Sequence, residues 1–152
     1  MDFTAIISSQ YLASLEMLKQ TITRCPESIW NSPEDKTKFW YIAYHALFYT
    51  HLYLQDSEKT FASWPAGTAP KISEPYDQET VLNYLAFCQQ QVAERTPSLK
   101  LEAESGFNWL PFSKLELQIY NIRHLQQHTG ELMERLGTRT GAELDWVAMK
   151  HS

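Results

Sequence analysis

The 152-residue chain is short of cysteine: Cys25 and Cys88 are far apart and form no CxxC pair. That scarcity excludes a disulfide framework and suits a reducing cytosol, with both thiols read as small, partly buried apolar side chains. Long apolar runs are also missing. No stretch approaches eighteen uncharged apolar residues, and Met1-Asp2-Phe3-Thr4 has no basic region leading into an apolar core, which speaks against a membrane span or an export signal. The expected setting is cytoplasmic, with no membrane partner. Positive charge is sparse as well, with 13 basic against 18 acidic residues, a formal charge of -5 and no Lys/Arg cluster. A phosphate backbone finds no electrostatic footprint here, so nucleic acid is excluded as the expected partner. Sustained apolar/polar alternation is absent too, which removes half-buried strands from the expectation, and no internal repeat or low-complexity tract occurs.

What is present is enough apolar material, 43% of the chain, for one full core and too little length for two ordinary domains. We therefore expect a single domain over residues 1–152. Four segments carry helical periodicity, and the expected class is all-α. In the first, Ile7, Tyr11, Leu15, Leu18 and Ile22 recur at spacings of three and four, predicting a helix over about 4–24 that stops at Cys25-Pro26. Ser32-Pro33-Glu34-Asp35 offers a capping hydroxyl, a proline at the first helical position and an acid three residues after the cap. This predicts a second helix starting there and running to Gln55. Its segment from Phe39 to Leu54 is apolar or aromatic on nearly every side, so it must be covered on most faces.

Residues 56–75 contain Gly67, Pro65, Pro70 and Pro75 and read as a long connection. A helix of ~20 residues is ~30 Å long, and a connector that returns along a whole bundle needs about this much chain. The second and third helices can then run parallel. The third is predicted from about Tyr76 to Arg95, ending before Pro97, and the fourth from near Pro111 to about Leu136, stopped by Gly137. The remaining tail has one large anchor, Trp146.

On the fourth helix His124 and His128 lie ~40° apart on one face, and Glu131 falls ~20° to the other side of His124. Tyr120, Leu117 and Ser113 continue that stripe, while Glu116, Arg123, Gln127 and Glu134 occupy a solvent-type face. Two imidazoles on adjacent turns can reach one metal ion. The same spacing also describes two solvated or hydrogen-bonded histidines. A third histidine is available from the aromatic helix, where His45 and His51 lie ~120° apart, so one ion can use only one of them easily. A buried imidazole needs a hydrogen bond, a charge or a metal. His45 is favoured as the third ligand, with Tyr41 and Tyr49 one turn to either side of it. His51 reads as a hydrogen-bonded or rim histidine, and His151 lies in the tail.

The segment Phe39-Trp40-Tyr41-Ile42-Ala43-Tyr44-His45-Ala46-Leu47, followed by His124-x-x-x-His128-Thr129-Gly130-Glu131-Leu132, resembles the DinB-like (DinB/YfiT) metalloenzymes over the whole chain. Gly106-Phe107-Asn108-Trp109-Leu110-Pro111 leading into Tyr120-Asn121-Ile122-Arg123-His124 looks like one uncharacterised branch. The resemblance implies a four-helix bundle in up-down-down-up order with a long crossover between the second and third helices. It also implies a divalent metal, zinc or nickel in character, on His45, His124 and His128. Many relatives carry a histidine where Gln127 stands and a glutamine where Glu131 stands. Gln127 points off the ligand stripe, whereas a carboxylate at Glu131 can serve as base, as a group orienting a ligand, or as a fourth ligand.

The functional expectation is a metal-dependent enzyme acting on a small-molecule substrate, with Glu131 as its catalytic group. Tyr41, Tyr49 and Tyr120 would line the pocket. By analogy with the family, a low-molecular-weight thiol attacks an electrophile in S-transferase or isomerase chemistry. Hydrolysis, or a non-enzymatic metal- or ligand-binding bundle in a stress response, are the alternatives. The aromatic second helix can also leave a patch that pairs two copies into a homodimer.

Overall fold

The computed structural model describes residues 1–64 and 69–151. Its four long helices are α1 (Phe3–Arg24), α3 (Phe39–Tyr53), α4 (Gln78–Arg95) and α5 (Lys114–Thr140), with a single turn, α2 (Glu27–Trp30), between the first two. Among the described residues there is no strand, only two isolated bridges, Lys71 to Glu74 and Glu104 to Ser113. Pro65, Gly67 and Ser152 lie outside the described residues. The helix starts are locally encoded. Asp2, Asp77 and Ser113 each accept a backbone N–H three residues on, from Ala5, Thr80 and Glu116, which satisfies one of the orphan donors of each first turn.

Hydrogen bonds between helices fix their directions. α1 runs parallel to α5, because Tyr11 reaches Gln118 while Ser14 reaches Gln126. α3 opposes α5: Asn121 donates to the Thr50 carbonyl and Gln118 to the Tyr53 carbonyl. α4 follows α3, since the Cys88 thiol meets the Leu47 carbonyl and Gln55 meets Gln91. Gln78, the first residue of α4, donates to the carbonyls of Ile22, Thr23 and Cys25 where α1 ends, so α4 opposes α1. The order is up-down-down-up, with residues 54–77 as the crossover between the parallel pair α3 and α4.

The core is filled by Tyr11, Leu15, Leu18 and Ile22 of α1, Phe39, Trp40 and Leu47 of α3, Tyr84, Leu85 and Val92 of α4, and Leu125, Leu132 and Leu136 of α5. Each such side chain contributes about 1.5–3 kcal/mol of burial free energy. The all-round apolar character of α3 is met from several sides. Trp40 donates to the Asn31 side chain, Trp30 donates to the Tyr76 carbonyl of the crossover, and Trp64 stacks on Tyr84 at 4.5 Å. Phe39, Trp40, Tyr44, Leu47, Leu52 and Tyr53 are consequently buried within the chain's own core.

Three local expectations are overturned. The second long helix begins at Phe39, not at Ser32-Pro33. Asp35, which the capping pattern places in a first helical turn, is instead buried in an ion pair with Arg139 and Arg135 of α5. Lys38 folds back onto the carbonyls of Ser32 and Asp35. Tertiary charge pairing has overridden a local start signal. The last helix passes through Gly137 and ends at Gly141, which has φ +71°. A glycine in a helix costs only about 1 kcal/mol, while a left-handed stop favours it strongly. The tail is held along α1 by polar contacts, Asp145 N–H to the Gln20 side chain, Gln10 to the Ala148 carbonyl, and Lys150 to Glu16. Trp146, read as its anchor, is 75% exposed.

Candidate metal centre

The antiparallel register of α3 and α5 decides the site. Leu117, Asn121, Leu125, Thr129, Leu132 and Leu136 of α5 are buried, so the helix turns that stripe inward and leaves His124 and His128 half-buried at its border. His45 occupies the matching border of α3, beside the buried Ala43, Ala46 and Leu47. The three imidazoles meet there. His45 Nε2 and His128 Nε2 each lie 3.2 Å from His124 Nε2, and the ligating atoms of all three residues fall within 4.8 Å of one another.

These spacings fit a small divalent ion. Nitrogens held at ~2.0–2.1 Å from one ion in tetrahedral array stand about 3.3 Å apart. The rings are steeply inclined to one another, His124 and His128 at 82° and His45 and His128 at 86°. Neutral imidazoles alone satisfy this arrangement poorly. Each carries one N–H, and His124 Nε2 faces two other ring nitrogens at once. Its Nδ1 is buried without a partner among the described residues. An N–H on Nδ1 frees the Nε2 lone pair for an ion, and the same lone-pair requirement applies to the other two nitrogens.

Burial disfavours the charged form of two of the three histidines. Burial, then the nearby His128 and His45, push His124 down to about 4. His45 is lowered by burial and by His128, with Glu131 opposing the shift. A metal ligand must be deprotonated, so a site that resists protonation of its imidazoles favours ion binding.

The expected lining residues fall into different places. Tyr49 packs against two of the histidines, its ring 4.9 Å from His45 and 5.3 Å from His124. Tyr41 packs against Trp40 and Tyr44. Tyr120 packs against Tyr53 and Phe112, with Arg123 above its ring. Glu131 Oε2 lies 3.2 Å from His128 Nδ1. Sequence reasoning passed over Tyr53, which continues the aromatic row: its ring is 5.5 Å from Tyr49 and its hydroxyl accepts the Trp109 indole N–H. The i, i+4 series of His45, Tyr49 and Tyr53 carried that signal.

His51 belongs to another environment. It is buried, hydrogen-bonded at 3.0 Å to the Tyr84 hydroxyl, and ringed by Phe61 and Phe87. Burial, with Arg95 adding to it, lowers its pKa to about 4. Both cysteines are free and buried. Burial pushes Cys25 up to about 12 and Cys88 well above its ordinary value. Among the described residues no helix is long and apolar enough to cross a membrane. No family model matches the chain, and no curated protein or solved structure matches it.

Proposed function

We propose that this chain is a divalent-metal-dependent enzyme, with zinc or nickel on His45, His124 and His128, that uses a low-molecular-weight thiol to attack a small electrophile. The observation that carries the reading is the convergence of three ring nitrogens at 3.2 Å contacts. An ion held by His45, His124 and His128 would supply Lewis acidity that favours the thiolate form of a thiol. The protein's own side chains hold and shield the centre. His45 and His124 stay neutral through burial, and Tyr49 covers one flank with its ring.

A thiol from solution fits this reading better than the chain's own, because Cys25 and Cys88 are both buried and burial disfavours their thiolates. In the transferase form the thiol gives its proton to solvent water, its sulfur bonds to the electrophilic carbon, and the leaving group departs with its electron pair. The resemblance to DinB-like enzymes supports this chemistry over others, and the sparse, buried cysteines suit a reducing cytoplasm.

The test begins with protein purified without a histidine tag. Elemental analysis should find one divalent ion per chain, and His124→Ala should remove it. Glutathione-, bacillithiol- and mycothiol-type thiols are then paired with a panel of electrophiles on the zinc- and nickel-loaded protein. Failure of every pair to turn over, or equal loss of electrophile without thiol, would overturn the transferase reading.

A further inference from the structure

Glu131 is the one carboxylate hydrogen-bonded to a histidine of the centre among the described contacts, and its position distinguishes three roles. Its Oε2 sits on His128 Nδ1, 3.2 Å away, whereas the three converging nitrogens are Nε2 atoms. The two nitrogens of one imidazole point away from each other, so an oxygen seated on Nδ1 lies outside ligand distance of an ion on Nε2. The same contact commits Oε2 to the imidazole. What the geometry serves directly is orientation. A carboxylate accepting the Nδ1–H selects the tautomer whose Nε2 lone pair is free, and raises the basicity of that nitrogen.

The need for such a group differs among the three ligands. His45 and His124 are braced by the Tyr49 ring, and the His124 Nδ1 is enclosed by protein. Among the described residues the rings packed against His128 are those of His45 and His124, and at its Nδ1 stands Glu131, whose side chain is 42% exposed. Glu131 arrives there by helix geometry, since residues three apart on α5 are neighbours on its surface. We propose that Glu131 is a positioning residue, which fixes the tautomer and ring orientation of His128 and thereby tightens metal binding without ligating the ion. This inference rests on the metal reading above.

The experiment measures zinc affinity by chelator competition for the wild-type chain, Glu131→Ala and Glu131→Gln, and records the absorption bands of each protein saturated with cobalt(II). Helical circular dichroism in chelator checks that each variant is folded. Expected is a fall of about 10–100-fold in affinity for Glu131→Ala. A smaller fall is expected for Glu131→Gln, which keeps an oxygen acceptor, and the cobalt bands should be the same in all three because the ligand set is unchanged. In a His128→Ala background, Glu131→Ala should have no further effect. Unaltered affinity in Glu131→Ala would overturn the positioning role. So would altered cobalt bands with equal losses in both variants, which would make Glu131 a ligand. Unaltered affinity combined with lost turnover would make it a base. A wild-type chain that binds no ion would instead overturn the metal reading itself, a different result from any of these.

Discussion

The Nε2 atoms of His45 and His124 stand 3.2 Å apart across the α3–α5 interface, although 79 residues separate them in the chain. That approach is set by the antiparallel register of two helices joined through a long crossover and α4. It places a candidate ligand from each helix at one point on the bundle's flank. The site is therefore part of the fold's own packing, and ligation should feed back on stability.

Metal binding should raise the melting temperature. At free ion about 100-fold above the dissociation constant, ligation adds about 2.7 kcal/mol, or roughly 5–10 °C for a chain of this size. Differential scanning fluorimetry with and without zinc checks this. His45→Ala should melt at the same temperature in both conditions.

Stability of the metal-free chain should fall between pH 6.5 and pH 4, through His51 in particular. Its folded-state pKa is about 4, below the ordinary imidazole value of 6.5. In that window the unfolded chain binds more protons than the folded one, so stability is present above 6.5 and is lost as pH falls. Urea midpoints taken in chelator at pH 7, 6 and 5 should decline, and His51→Gln should flatten the slope. An unchanged slope in the variant would count against His51 as a source.

Tyr11→Phe should destabilise the fold by about 1–3 kcal/mol. The fully buried Tyr11 hydroxyl donates to the Gln118 side-chain oxygen and accepts from Asn121, and the variant takes the donor from Gln118 Oε1 and one acceptor from the Asn121 amide in the core. The Asn121 amide also reaches the Thr50 carbonyl, so this network ties α1, α3 and α5 together one turn from the histidines. Chemical denaturation reads the loss.

Two glycines should respond in opposite directions to alanine. Gly106 has φ +89°, and an added Cβ would lie 2.0 Å from the Asp56 carbonyl oxygen. Gly106→Ala must therefore displace the loop from the end of α3 and cost more than the ~1–3 kcal/mol of backbone strain alone. Gly130 lies within α5, with nothing within 4 Å of an added Cβ. Gly130→Ala should stabilise by up to about 1 kcal/mol. Denaturation midpoints check both, and zinc stoichiometry should be unaffected by Gly130→Ala.

The clearest signals in the sequence were local ones. Periodicity placed α1 and α4 within a few residues, and the Pro26 stop and the connector after Gln55 were readable because proline and glycine act on their own backbone. The i, i+4 pair of His124 and His128 was visible for the same reason. Local signals failed where distant partners competed. The cap at Ser32 lost to the Asp35–Arg139 ion pair, and Gly137 was absorbed into α5 while Gly141 took the left-handed stop. The Nδ1 contact that assigns Glu131 its place was foreshadowed by spacing, but spacing alone left base, ligand and orienting group open.

By itself the sequence determined that this chain forms amphipathic and aromatic helices in one core, and that two histidines share a helix face, because 3.6-residue periodicity is a property of the chain alone. Only the tertiary structure decided that His45 meets that pair while His51 turns to Tyr84. The two lie on one helix, and their difference arises from which neighbour, α5 or α4, packs against each face.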